Sequence, residues 1–338
     1  MENFALKWKN EVNFNQVTYE DFVTLFDDIK NIMFLEKIDG MLGMLIYNKK
    51  DIFFQTTTGR EIRDLPVLSE YKALFSNIGL DEAIIAGELV GQKNGVIFPF
   101  PMTQSVVKTS YAEKNKDLIY HYPYDIYSLN NTKPGFKGAY SFLLRHTKAL
   151  SHIRVPLSIT GDMSRFRMFF LNIQNKQGTD GVVARDIKGR NYKIKFFNTA
   201  DVVIIGGGNK NMKAWTKNQI PYLLTAFIDK DGNFRETSKV GTGFTFEERE
   251  MFFKYITQNE ISVRGDEILV KPTLVIEVKF FRSFQPSGRV YSFKGGSYEF
   301  IHNDKTITFS NPSFMRLRPD KKANKIDVRM EQLPTWKY

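Results

Sequence analysis

EKIDGMLGMLIYNKKDIFFQT, residues 36–56, carries the strongest structural signal in the chain. Its second part, Leu42–Thr56, predicts a strand, a polar turn around Asn48–Asp51 and a second strand. Apolar and aromatic residues fill both arms, while amide and charged residues fill only the middle, which is the pattern of a β-hairpin. Directly ahead stands Lys37-Ile38-Asp39-Gly40. A K-x-D-G tetrapeptide arises by chance in roughly one chain of ten at this length. Alone it is equally a surface turn that ends in Asp-Gly before the hairpin.

The chemistry of lysine supplies the other reading. An amine attacks phosphorus only when neutral, yet the ordinary lysine pKa lies near ~10.4, and bringing it to neutrality takes roughly 4–5 kcal/mol. Burial, neighbouring cations or a bound metal can provide this. A nucleophilic Lys37 should therefore be accompanied by further lysines and carboxylates. They follow in order. Glu88 is a lone acid in the strand-like Ile85-Ala86-Gly87-Glu88-Leu89-Val90. Tyr124-Asp125-Ile126 offers a ring face in an aromatic-rich strand, and Asp180 heads Asp180-Gly181-Val182-Val183-Ala184-Arg185. Tyr192-Lys193-Ile194-Lys195 alternates, so both ammonium groups share one strand face. Taken singly, these are capping acids, packed aromatics and a solvated basic face; their joint order is the informative feature.

Composition narrows the field. The formal net charge is +11, which suits a polyanionic partner. There is no cysteine, which excludes disulfides, thiolate catalysis and Cys-ligated zinc. His121, His146, His152 and His302 lack metal-ligand spacing and read as ordinary core or surface residues. No apolar run reaches the roughly 20 residues of a membrane span. The opening MENFALKWKNEV lacks the pattern of a signal peptide, so the expectation is a cytoplasmic protein with no membrane partner.

Up to about residue 200, further strand candidates (EAIIAGELVG, DLIYHYPYDIYSL, DGVVARD, NYKIKFF) alternate with helical patterns over 17–31, 66–78 and 136–152. From Asp201 the texture changes to short strands, DVVIIGGG, PYLLTAFID, FRETSKVG, TLVIEVKFF and KTITFS, with one helix near 245–257. Five short strands and a helix fit a small β-barrel of the oligonucleotide-binding (OB) kind. The expected division is 1–200 and 201–338. Segments 206–218 and 284–289 read as loops. Gly206-Gly207-Gly208-Asn209-Lys210 reads as a flexible basic loop rather than a phosphate loop, because no helix pattern follows it. Between Arg185 and Lys217, eight Lys/Arg stand against Asp186 and Asp201, a stripe expected to track phosphates in part.

Together these residues resemble the ATP-dependent DNA ligases, within the covalent nucleotidyltransferases that include RNA ligases and mRNA capping enzymes. Lys37-Ile38-Asp39-Gly40 resembles the adenylation motif, Gly87-Glu88-Leu89-Val90 the segment that grips ribose, and Tyr124-Asp125-Ile126 the segment that stacks on adenine. Asp180-Gly181-Val182-Val183 resembles the metal-associated E-G-V-V motif with Asp for Glu, and Lys193 and Lys195 match paired lysines at the α-phosphate. In the second half, Ser238–Thr245, Val275–Lys279 and Phe314–Lys321 are similar to the OB domain of the ligase part of bacterial end-joining enzymes, with Arg318-Pro319-Asp320-Lys321 as the motif that orients pyrophosphate.

The resemblance implies an α+β nucleotidyltransferase domain followed by an OB-fold barrel. It implies ATP and Mg²⁺ as cofactors, Mn²⁺ substituting, and nicked duplex DNA as partner of a monomer. It makes Lys37 the nucleophile, with Lys193 and Lys195 catalytic. Glu36, Asp39, Gly40, Glu88, Tyr124, Lys193, Lys195, Arg318 and Lys321 would hold the nucleotide, Asp180 and Glu88 the metal. Arg60, Arg185, Lys210 and Lys213 would meet nucleic acid. Three positions depart from the family pattern: Leu42 and Thr57 where arginines usually grip the nucleic acid or its 5′-phosphate, and Ala86 where an acid often precedes Gly87. Arg60, Lys49 and Lys50 are the expected substitutes. The resemblance is to the minimal ligases of bacteria and viruses, so no separate N-terminal DNA-binding domain is expected. The alternatives are joining of RNA ends by the same lysine chemistry, or an OB-type single-strand binder in which K-x-D-G is accidental.

Overall fold

In the computed structural model, residues 2–26, 30–108, 113–174, 176, 178–186, 189–208 and 213–333 are described. They form two units, Met1–Phe196 and Phe197–Tyr338.

The first unit runs α1 (Phe4–Val12), β1 (Asn15–Val17), α2 (Tyr19–Leu25), β2 (Ile32–Ile38), β3 (Met41–Asn48), β4 (Asp51–Gln55), β5 (Glu61–Ile62), α3 (Pro66–Asn77) and β6 (Glu82–Lys93). It continues through β7 (Val96–Ile97), α4 (Phe100–Lys108), α5 (Glu113–Lys116), β8 (Ile119–Leu129), α6 (Gly135–Thr147), β9 (Ser158–Gly161), α7 (Met163–Gln174), β10 (Thr179–Arg185) and β11 (Asn191–Lys195). Two sheets result, one ordered β5-β4-β3-β6-β7 with β8 also on β6, the other β1-β11-β10-β2-β9. The hairpin of residues 42–56 becomes the antiparallel pair β3–β4, with Asn48 opposite Asp51. Leu45, Tyr47 and Phe54 on one face of this sheet pack with Ile85, Tyr71, Phe75 and Leu143. Met44, Ile46 and Phe53 on the other face pack under Ala5 and Trp8 of α1. The second sheet is backed by a phenylalanine-rich core of Phe22, Phe34, Phe166, Phe169 and Phe170.

Two of the three expected helices differ from expectation. The first, over 17–31, is the short α2, capped by Thr18 and over by Leu25. The third, over 136–152, stops at Thr147, because the chain must turn for the His152 carbonyl to accept from the His121 amide and for the His121 carbonyl to accept from Arg154. Helices α1, α4 and α7 were not expected; each is short or interrupted by polar residues on what proves to be its solvent side.

Two glycines permit close approaches, Gly43 between β3 and β6 and Gly87 between β6 and β8. A Cβ on Gly43 would meet the Leu89 side chain, and one on Gly87 would strike the His121 ring and the Tyr122 carbonyl. His121 itself is buried, with Nδ1 2.8 Å from the Tyr71 hydroxyl, and burial pushes its pKa down to about 3, so it is a neutral core residue.

The second unit comprises β12 (Asn198–Gly207), β13 (Leu223–Ile228), β14 (Phe234–Val240), α8 (Phe246–Gln258), β15 (Glu260–Arg264), β16 (Glu267–Val270), β17 (Val275–Phe280), β18 (Ser283–Phe284), β19 (Ser287–Lys294), β20 (Ser297–Lys305), β21 (Thr308–Phe309) and β22 (Ser313–Leu317). β12 pairs with β13 and β17, β13 with β14, and β17 with β22. A bridge between Thr242 and Ser313, with the Phe314 amide donating to the Thr242 carbonyl at 2.8 Å, joins the end of β14 to β22. The strand circuit β12-β13-β14-β22-β17 thus nearly closes into the five-stranded barrel of the OB fold. α8 enters between its third and fourth strands through a Thr245/Glu248 capping box. The expected fifth strand, KTITFS, is corrected: Lys305 ends β20, Thr308–Phe309 pairs with β18, and Ser313–Leu317 closes the barrel. Met315 and Arg316 on its exposed side and the Pro319-Asp320 that follows mask its strand pattern. The 284–289 loop is likewise corrected, since β19 begins at Ser287 and forms a long hairpin with β20.

Because Gly87 lies between His121 and the strand that carries Glu88, Gly87→Ala should destabilise the first unit by about 1–3 kcal/mol through overpacking. Thermal unfolding of the purified variant checks this; an unchanged midpoint would show that β6 and β8 can part without cost.

Candidate active site

β2 ends in Glu36-Lys37-Ile38, and its neighbour β10 places Gly181 opposite Lys37 and Val182 opposite Glu36. On the far side of β10, Gly181 lies opposite Lys195 and Val183 opposite Lys193. Gly181 therefore sits between two lysine-bearing strands, and a Cβ there would collide with the Ile194 carbonyl. Asp180, next to it, accepts from Lys37 Nζ at 2.7 Å and lies 3.7 Å from Lys195 Nζ. Lys193 and Lys195 share one face of β11, while Ile194 and Tyr192 face the phenylalanine core.

Gly40 brings the turn after β2 against β6, where a Cβ would crowd the Leu89 carbonyl and the Glu88 Cβ. This lays Glu88 beside Lys37. In β8, Asp125 pairs with Ala86 and Pro123 with Gly87, so Tyr124 is the extra residue of a β-bulge. A bulge of this kind re-aims one side chain. Tyr124 points inward, its hydroxyl 3.5 Å from Glu88 Oε1.

Lys37, Glu88, Tyr124 and Lys193 line one cavity of about 500 Å³, within the ordinary range for a small-molecule site, with Asp180 and Lys195 behind them and not among its lining residues. Lys37, Glu36, Gly40, Glu88, Tyr124, Lys193, Arg60 and Arg185 all contribute to its wall, with Leu35, Ile38, Met41 and Val183 as aliphatic lining. Leu42 and Thr57, at the two departing positions, line it too.

The electrostatics differ from the expectation for Lys37. Burial lowers its pKa, but Asp180, Glu88 and Asp39 outweigh burial and hold it above the ordinary lysine value. At rest, Lys37 is an ammonium clamped to Asp180. Glu88 is pushed up to about 7, chiefly by burial, with Lys37 opposing and Asp180 and Asp39 adding to the rise. Lys193 is lowered by burial and then by the charge of Lys37, with Lys195 and Lys9 also contributing.

Other expected site residues are tied to neighbours or lie away from the cavity. The Glu36 carboxylate is already engaged by Lys176 Nζ at 2.8 Å, Thr179 Oγ1 at 2.5 Å and the Leu157 amide at 3.3 Å. Arg185 is buried, 3.0 Å from Asp125 and bonded to Asn191, so its guanidinium braces the strand behind Tyr124 instead of facing solvent. Lys49 is 2.7 Å from Asp81 at the hairpin tip, where Lys50 also lies, and neither lines the cavity, which removes both as substitutes for the missing arginines. Lys213 is exposed in the second unit, and Lys210 lies outside the described residues. There too, Arg318 bonds Asp201 and Asp320 at 2.7 Å each, and Lys321 is 3.5 Å from Asp327.

Sequence reasoning missed the wall contributed by the segment ahead of β2. Trp8 packs against Tyr124 at 5.7 Å and donates Nε1 to Asp125 at 3.0 Å, while Phe14 lies 4.4 Å below Lys193 Nζ. Only the helical spacing of Ala5 and Trp8 hinted at an inward face.

Residues 216–321 match the family model of the ATP-dependent DNA ligase C-terminal region. The chain is 26% identical over 270 residues to DNA ligase 1 of Korarchaeum cryptofilum, an alignment covering 72% of this chain and 47% of that protein. With a DNA ligase of Hyperthermus butylicus it shares 28% over 189 residues, 48% of this chain and 30% of the relative. The chain thus spans less than half the length of these curated relatives. In fold it is similar to the solved structure "Pmar-Lig_PreS3", with a TM-score of 0.64 at 14% identity over 90% of this chain and 66% of that one. It is also similar to one from a study of Lig E DNA ligases, with a TM-score of 0.54 at 18% identity over 90% of this chain and 99% of that one. Residues 216–321 thus carry the C-terminal region of ATP-dependent DNA ligases, and the curated relatives that the chain resembles over 72% and 48% of its length are DNA ligases.

Proposed function

We propose that the chain seals 5′-phosphate/3′-hydroxyl nicks in duplex DNA through a lysyl-AMP intermediate on Lys37. The observation that carries the reading is the cavity in which Lys37, paired with Asp180, meets Glu88, Tyr124 and Lys193. In the first step Lys37 Nζ bonds to the α-phosphorus of ATP, the bond to the β-phosphate oxygen breaks and pyrophosphate departs. AMP then passes from Lys37 to the 5′-phosphate of the nick. The 3′-hydroxyl finally attacks that phosphorus, forming the phosphodiester and releasing AMP.

Each residue has a role that its placement supports. Tyr124, Leu35 and Val183 supply aromatic and aliphatic surface for adenine. Lys193, with Lys195 beside it on β11, neutralises charge that builds on the α-phosphate. Lys37 must lose a proton before it attacks, and Asp180 keeps it protonated, so the nucleophile is released only when Asp180 is drawn to another cation. Asp180 and Glu88 fit Mg²⁺, which takes one or two carboxylates together with substrate phosphates and water, and Mn²⁺ by the same donors. Bound there, the metal would offset phosphate charge and compete with Lys37 for Asp180. Among the described residues no group of three or more His, Asp or Glu forms a complete cage, which suits a metal shared with a nucleotide. Arg318 and Lys321, on the second unit, are proposed for the departing pyrophosphate, and Arg60 and Lys213 for the nucleic acid.

Incubated with ATP and Mg²⁺, the native chain should gain about 329 Da, the mass of AMP less water, and Lys37→Ala should gain nothing. An adduct on the variant would move the nucleophile to another lysine. Glu88 gives a second expectation. Its proton is held more tightly in the folded chain than in the unfolded one, near 7 against an ordinary 4.5. Its contribution to stability is therefore fully present below the unfolded value and is lost as pH rises through about 7. Glu88→Gln should raise the unfolding midpoint at about pH 8 and change it little at about pH 5. Equal shifts at both would mean that Glu88 is ionised throughout. For the substrate, equal amounts of nicked DNA duplex and single-stranded RNA ends, offered together with ATP and Mg²⁺, should yield sealed DNA by a wide margin; preferential joining of RNA would overturn the DNA assignment while leaving the lysine chemistry standing.

A further inference from the structure

The ions around the cavity leave positive charge unaccounted for. Lys37 is neutralised by Asp180, Arg185 by Asp125, and Glu36 by Lys176. The wall also carries Lys193 and Lys9, with Glu88 as the nearby acid. Lys9 is exposed and has no carboxylate partner among the described residues, and it lies close enough to Lys193 to disfavour that ammonium. Two neighbouring cations at the open side of a cavity repel one another until an anion lies between them.

The segment that carries Lys9 is firmly seated. Trp8, one residue before it, is buried and tied to Asp125. Asn3, the cap of α1, donates Nδ2 to the Thr57 carbonyl at 3.0 Å, and the Ala5 amide meets Gln55 Oε1 at 3.5 Å. Position 57, which carries no cationic side chain, instead anchors the helix that brings one. Arg60 follows on the same short loop, whose turn is held by the Arg60 amide donating to Thr56 Oγ1.

We propose that Lys9 and Lys193 form a phosphate subsite for the 5′-phosphate of the nick, with Lys9 standing in for the cations absent at Leu42 and Thr57. The proposal rests on the ligase reading above. A terminal phosphate dianion suits two ammonium groups on the wall of one cavity better than a bridging phosphodiester with a single charge does. The triphosphate of ATP offers the same chemistry, so the test must separate the two steps.

The full chain with Lys9→Ala, Lys9→Glu and Lys9→Arg is assayed for adduct formation from ATP and, separately, for transfer of AMP from preformed lysyl-AMP enzyme to a 5′-phosphorylated nick. Transfer should fall roughly tenfold or more in Lys9→Ala, further in Lys9→Glu, and recover largely in Lys9→Arg, with a much smaller effect on adduct formation. The native adduct should bind a 5′-phosphorylated nick more tightly than a 5′-hydroxyl nick, and Lys9→Glu should lose that preference. Unchanged transfer would overturn the proposal, as would a loss falling on adduct formation, which would place Lys9 on the triphosphate. Failure of the ligase reading is separately visible, as a native chain that forms no adduct at all.

Discussion

The bond between Lys37 and Asp180 is the constraint on which the first unit's site depends. It crosses from β2 to β10 at the one place where β10 has no side chain, Gly181, so that lysine-bearing strands close in from both sides. Breaking a buried pair by removing one partner leaves the other charge uncompensated, which is far costlier than the pair itself is stabilising. Asp180 therefore governs the protonation of Lys37, and the same 2.7 Å contact that positions the amine also keeps it unreactive. In the proposed reaction such an amine stays protonated until its counter-ion is drawn elsewhere, which would couple the chemistry to nucleotide and metal binding.

Glu88 shows the cost of that arrangement. It stands between a hydrophobic strand and four other carboxylate and ammonium charges, and its proton is retained to about pH 7. A group tuned in this way by burial and specific charged neighbours is a mark of a functional site more often than of a structural one. Around it the fold spends glycines: Gly40 and Gly87 permit backbone approaches that any side chain would block. The bulge at Tyr124 belongs to the same device, turning a ring off the regular pleat and over the cavity.

The second unit is organised by a different logic. Its barrel closes where the chain after β14 meets β22, and the basic segment that follows β22 is folded back on acids of its own unit. Arg318 alone reaches Asp201, Asp320 and, at 3.9 Å, Glu277. Such a network fixes the guanidinium in a defined orientation with three carboxylates to share its charge. The β19–β20 hairpin, inserted between the last two barrel strands, extends the sheet beyond the barrel circuit.

By itself the sequence determined much. The hairpin, the order of the charged motifs, the shared face of Lys193 and Lys195, the change of texture near residue 200 and the barrel class were all legible, because each follows from periodicity two or from short-range spacing. Only the tertiary structure decided the rest. That KTITFS is not the closing strand depends on which segment meets Thr242 across the barrel. That Arg185 is a brace, that Lys49 and Lys50 lie at a remote tip, and that α1 brings Trp8 and Lys9 to the cavity depend on contacts between residues far apart in the chain, such as Arg185 and Trp8 with Asp125. The protonation of Lys37 was the least legible of all. Composition counts charges, whereas the balance between burial and three nearby carboxylates depends on distances that exist only once β2, β6 and β10 have come together.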